Sequence, residues 1–195
     1  MIFGASFYFN SILLGIGLAM DAFSVSLANG LNEPCMRKSR MWFIAGIFAF
    51  FQALMPLIGW VCVHTIVEHF RAFEALIPWI ALVLLGFIGG KMLIEGIRNE
   101  NEDVCSVKGL GLAALLVQGV ATSIDALSVG FTIAHYELFA AVFAALIIGA
   151  VTLVICMGGL VIGRKAGTKM AGKAGILGGV ILIFIGLEIF ISSWL

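Results

Sequence analysis

Six apolar stretches, each long enough to cross a bilayer, alternate with short charged connections, and this pattern limits the chain to one kind of fold. The runs lie near 7–28, 41–63, 76–96, 109–133, 138–162 and 174–194. A spanning helix uses about 20 apolar residues, so every run suffices. Inside lipid all backbone N–H and C=O groups must be satisfied within the protein, which leaves helices or closed barrels. Barrel strands are roughly 10-residue segments of alternating polarity, whereas these runs are continuous. The expected fold is therefore an all-α polytopic membrane bundle of six transmembrane helices. With 62% hydrophobic and 11% charged residues in 195, the chain lies far from soluble composition, and a water-soluble enzyme is excluded. A single membrane domain over 1–195 is expected, with no room for a separate soluble one. The first run has no basic n-region and continues past Asp21 to about Ala28, longer than the core of a cleaved signal, so it reads as a mature helix.

Charge distribution orients the bundle. The connections 29–40, 97–108 and 163–173 hold Arg37, Lys38, Arg40, Arg98, Lys108, Arg164, Lys165, Lys169 and Lys173, whereas the opposite side has only Arg71. By the positive-inside rule those three connections are cytoplasmic and both termini lie outside. The formal net charge of zero provides no field for nucleic acid, which is set aside as a partner. Cys35, Cys62, Cys105 and Cys156 are scattered without CxxC spacing and read as packing residues rather than a disulfide or zinc framework.

The chain also repeats itself. An offset of 104 superimposes Met20-Asp21-Ala22-Phe23-Ser24-Val25 on Ile124-Asp125-Ala126-Leu127-Ser128-Val129, and Ile58-Gly59 on Ile162-Gly163. At an offset of 97, Phe87-Ile88-Gly89 falls on Phe184-Ile185-Gly186. Two three-helix units follow, repeat one over about 1–98 and repeat two over about 107–195. Three is odd, so the second unit enters the membrane from the opposite face, the inverted plan of many secondary transporters. Depth agrees with this, because Asp21 lies about three residues cytoplasmic of the centre of its helix and Asp125 about four residues outward of its own.

A carboxylate near the bilayer centre costs about 2.5 to 3.5 kcal/mol on insertion scales, so two of them call for a compensating role. Asp21 and Asp125 are expected to face the bundle interior, each with a serine three residues later, Ser24 and Ser128, on the same helical face. Two carboxylates match a divalent cation, and hard oxygen donors suit magnesium, calcium or manganese. Gln52, Asn29 and Thr122, with Ser123, offer neutral oxygens that serve equally as ligands or as hydrogen-bonding contacts between helices. Glu188, without a local basic partner, is a candidate proton acceptor and completes the set of candidate ligands. Lys91 and Glu95 read as a local pair at i, i+4. Gly86 with Gly90, Gly159 with Gly163, Gly175 with Gly179 and Gly15 with Ala19 are expected to let helices approach closely. Gly15, Gly17 and Asn29-Gly30 could permit a break in the first helix, and Pro56 should kink the second.

A membrane enzyme is the rival class. His64, His69 and His135 fall in or beside outward connections, and there is no HExxH and no P-loop, so the chain is not expected to be an enzyme or a self-contained ATP-driven pump. No resident cofactor is expected. Partners are a divalent metal ion and membrane lipid, with proton counter-transport as the expected driving force; the residues leave oligomeric state open.

In sum the residues resemble the MntP-type manganese efflux pump family, small bacterial transporters related to the LysE exporter superfamily. The resemblance rests on Gly17-Leu18-Ala19-Met20-Asp21-Ala22-Phe23, Pro56-Leu57-Ile58-Gly59-Trp60, Gly89-Gly90-Lys91-Met92-Leu93-Ile94-Glu95-Gly96, Ala121-Thr122-Ser123-Ile124-Asp125-Ala126 and Ile176-Leu177-Gly178-Gly179, in order over nearly the whole chain. It implies export of manganese(II) across the cytoplasmic membrane, with manganese as transported substrate and Asp21 and Asp125 as the motif acids. Some members carry a glutamate where Gln52 stands, so here that position brings a neutral amide. Oxygen ligands alone also fit another divalent cation, and the wider superfamily would fit an amino acid or small solute.

Overall fold

The computed structural model describes residues 5–65, 77–98, 110–133, 136–169 and 174–192. They form seven helices: α1 (Ala5–Asn32), α2 (Lys38–Thr65), α3 (Ile77–Arg98), α4 (Leu112–Ala121), α5 (Ile124–Thr132), α6 (Leu138–Lys169) and α7 (Ala174–Ser192). No strand occurs among the described residues. The helices fall on the six apolar runs, the fourth being divided into α4 and α5. Three are long and apolar enough to cross a membrane, over Phe7–Asn32, Lys38–Cys62 and Leu138–Gly167. The pair α4–α5, bent by 43°, makes a fourth candidate span.

The polarity of the bundle suits a lipid solvent. Phe9, Phe87, Phe139 and Val154 each expose more than two thirds of their surface, while Asn29, Gln52, Gln118, Thr122, Ser123 and Thr152 are buried. In water such an apolar exterior would be an aggregation surface; against acyl chains it costs nothing.

Close approach between helices depends on glycine. Gly159 and Gly163 of α6 lie against the Phe23 and Leu27 carbonyl oxygens of α1, and Gly59 of α2 lies against Leu127 and Gly130 of α5. Gly89 of α3 meets Gly179 of α7, where an added Cβ would come 2.7 Å from the Gly179 oxygen. The closest pairings are thus α1 with α6, α3 with α7, and α2 with both α6 and α5. Gly86 and Gly90, expected to pack, have open space where a side chain would stand; the contact face of α3 runs through Gly89 instead.

Two further expectations are corrected. The first helix is unbroken, because Gly15 and Gly30 are used for approach to α6. Pro56 sits inside α2, where it removes the N–H that would bond the Gln52 carbonyl, the local condition for the expected kink. Cys62 and Cys156 are free thiols, as the packing reading required, but Cys35 is disulfide-bonded. Cys35 lies in the connection between α1 and α2, outside the apolar runs whose context supported that reading.

Candidate metal centre

The helix break falls in the fourth span, between Ala121 and Ile124. Thr122 and Ser123 make it possible. The Thr122 hydroxyl donates to the Gln118 carbonyl at 2.9 Å, and the Ser123 hydroxyl to the Gly119 carbonyl at 2.7 Å. The Ser123 bond satisfies the Gly119 carbonyl, which the end of the helix would otherwise leave bare, whereas the Gln118 carbonyl also accepts the Thr122 N–H at 3.0 Å. Sequence reasoning offered Thr122 and Ser123 as ligands or interhelical contacts; here both hydroxyls act within their own span.

Asp125 stands in the first turn of α5, directly after the break. One carboxylate oxygen accepts the Ala126 N–H at 2.9 Å. The N-terminal end of a helix carries partial positive charge and stabilises an anion placed there. Across from it, the end of α4 presents the opposite pole, which favours a cation. Broken spans of this kind place both poles at one depth.

Asp125 and Asp21 lie within electrostatic reach of one another. Straight helices would separate them by about 10 Å, seven residues at 1.5 Å each; the break before Asp125 removes that constraint. Their helices, α1 and α5, share a small buried cluster in which Leu18 and Ala126 meet Ile148 of α6. Asp21 and Ser24 are half-buried, whereas Asp125 and Ser128 are exposed. The Ser24 hydroxyl donates to the Met20 carbonyl at 3.1 Å, which leaves its oxygen lone pairs available.

Buried amides flank the acids on either side. Gln52 of α2, fully buried, donates to the Leu18 carbonyl of α1 at 3.0 Å, one turn from Asp21, and its Oε1 has no partner. Asn29 of α1 donates from Nδ2 to Oε1 of Gln118 in α4 at 2.8 Å, leaving Asn29 Oδ1 and Gln118 Nε2 unpartnered. Gln118 escaped the sequence reading. A glutamine inside an otherwise apolar run at helical depth was the signal that could have found it. Along the unbroken α1, Asn29 lies eight residues from Asp21, about 12 Å.

Among the described residues no three histidine, cysteine or acidic side chains converge on one point. The centre consists of two carboxylates with neutral oxygens around them. Glu188 lies in α7 with its side chain outside the described residues, as is that of Glu95.

A multi-pass helical membrane protein with an interrupted span and intramembrane acids is the class that this fold and site define. A family model described as "Putative manganese efflux pump" matches residues 35–190, and the chain belongs to that family. Similar proteins bear the name "Putative manganese efflux pump MntP". One from Clostridium botulinum (strain Loch Maree / Type A3) is 43% identical over 191 residues, covering 93% of this chain and 92% of the relative. One from Ruminiclostridium cellulolyticum is 41% identical over 184 residues, covering 93% and 94%. One from Clostridium perfringens (strain SM101 / Type A) is 40% identical over 201 residues, covering 93% and 92%. No solved structure matches.

Proposed function

We propose that the chain is a secondary exporter of manganese(II), and that Asp21 and Asp125 hold the ion between its two halves. The carrying observation is the electrostatic proximity of two acids that stand on different helices, α1 and α5. A carboxylate facing acyl chains would be too costly to retain, so the exposure of Asp125 is read as exposure to a water-filled cleft. There the two carboxylates neutralise a divalent cation, while Ser24, Ser128 and the neutral oxygens of Gln52, Asn29 and Thr122 replace part of its water shell as it passes. Manganese as cargo follows from the names of the relatives.

Alternating access follows from an inverted repeat of six spans, repeat one over about 1–98 and repeat two over about 107–195. The packing pattern supports this arrangement. Exchanging the halves converts the α1–α6 contact into the α5–α2 contact and returns α3–α7 and α2–α6 to themselves, and all of these occur. Gly59 meets Leu127 and Gly130, and its counterpart Gly163 meets Leu27 and Gly30, one helical turn further along. Rocking of one unit against the other would open the acids to each face in turn. Proton counter-transport, with Glu188 as acceptor, is the driving force of this reading. The protein sits in the cytoplasmic membrane with both termini outside.

The test is manganese tolerance and efflux in cells lacking their own exporter. The wild type is expected to lower cell manganese and restore growth, and Asp21→Asn and Asp125→Asn to do neither at equal expression. Undiminished efflux in both variants would remove the acids from the mechanism.

A further inference from the structure

We infer that a cleft between the start of α2 and the end of α6 is a binding site for the headgroup of an anionic phospholipid. The cleft encloses about 280 Å³ and draws its lining from Lys38, Met41 and Trp42 of α2 and from Val161, Arg164 and Lys165 of α6. Three of these side chains are cations, and among the described residues no carboxylate lines the cleft. Lys38 is the first residue of α2, and Lys165 lies in the last turns of α6, so both sit where these spans leave the bilayer on one face. That depth is where phosphate groups lie. The N-terminal pole of α2 points to the same place and adds partial positive charge.

The cleft is organised, not merely basic. The Arg164 guanidinium donates to the Met36 carbonyl at 3.2 Å and lies 3.7 Å from Met41 Sδ, which fixes it against the α1–α2 connection. Such anchoring lowers the entropy lost when the guanidinium binds a phosphate. Below the cations, Met41 and Val161 form an apolar wall, and Trp42 is 59% exposed beside them. An indole at headgroup depth is characteristic of membrane interfaces. A free anion would use the cations and leave this wall bare. A phospholipid uses both, its phosphate on Lys38, Arg164 and Lys165 and its acyl chains along Met41, Trp42 and Val161. The volume admits only the headgroup region, so the chains stay in the bilayer. Charge complementarity selects an anionic lipid over a zwitterionic one.

Native mass spectrometry of the full-length protein, released from nanodiscs of equal parts phosphatidylglycerol and phosphatidylcholine, tests the site. The wild type is expected to retain phosphatidylglycerol preferentially. Lys38→Gln with Lys165→Gln, which leaves the Arg164 bonds intact, should reduce that preference about tenfold or more, because each cation near the headgroups adds a substantial factor. Arg37→Gln, an exposed neighbour outside the lining, should leave it within about twofold, on the same reasoning about proximity. Equal retention of the two lipids, or an Arg37→Gln loss as large as that of the double variant, would overturn the site. Displacement of the lipid by millimolar inorganic phosphate would overturn its assignment to a lipid.

Discussion

Polar groups inside this bundle are few, and the amides of Asn29, Gln52 and Gln118 among them are paired across helices. Asn29 and Gln118 illustrate the cost of removing a partner from a dry setting. Asn29→Leu should destabilise the protein by about 1–3 kcal/mol, because it leaves both polar ends of the Gln118 amide unsatisfied. The double variant Asn29→Leu with Gln118→Leu should recover most of that loss, since neither amide of the pair then remains. Thermal unfolding of the purified variants in one detergent reads both effects; additive losses would mean that the pair is not coupled. At this scale the sequence was informative about acids and much less so about amides. Asp21 and Asp125 stand out because each is a charge in an apolar run with no basic residue at helical spacing to pair it, unlike Lys91 and Glu95. Gln118 does not stand out, because glutamine is a moderate polar residue whose meaning depends on which helix lies opposite. Thr122 and Ser123 were visible as polar positions, but a hydroxyl bonded to its own helix and one aimed across a cleft look alike in a sequence.

Helices were legible nearly to their ends, because an apolar run in lipid has one way to satisfy its backbone. The position of the break was not. Glycines beside Asp21 and polar residues beside Asp125 are both plausible break points, and packing decides between them. Gly15 and Gly30 are committed to α6, whereas Thr122 and Ser123 supply the hydroxyls that a break requires. The same packing makes a sharp prediction. At Gly163 a Cβ would run into the Leu27 carbonyl, a backbone atom that cannot turn aside, whereas at Gly17 nothing stands within 4 Å. Gly163→Ala should therefore destabilise by about 1–3 kcal/mol through separation of α1 from α6. Gly17→Ala should be neutral or stabilising by up to about 1 kcal/mol. Thermal unfolding that ranks the two the other way would contradict the interface as described.

Considered whole, the molecule packs α1 on α6, α3 on α7 and α2 on both α5 and α6, a crosswise pairing of the two proposed repeats that the repeated sequence foreshadows more clearly than any single motif. Matched residues identify which helices correspond, but not which of them touch, since contact depends on glycine faces that align only in three dimensions. Orientation in the membrane follows from the cations. Nine lysines and arginines on one side against Arg71 on the other predict that both termini face outward. Alkaline phosphatase fused after Leu195 should be active and a fluorescent protein fused there dark; the reverse pattern would invert the bundle and with it the direction assigned to transport.

The central claim is that one divalent cation is shared by acids from the two halves. Equilibrium binding of manganese(II) to the purified protein, read from the free-ion electron paramagnetic resonance signal, measures this directly. The account predicts one ion per chain, with Asp21→Asn and Asp125→Asn each weakening it by at least about tenfold, as the loss of one of two charged ligands should. Two ions per chain, with each variant losing one and retaining the other at full affinity, would contradict it.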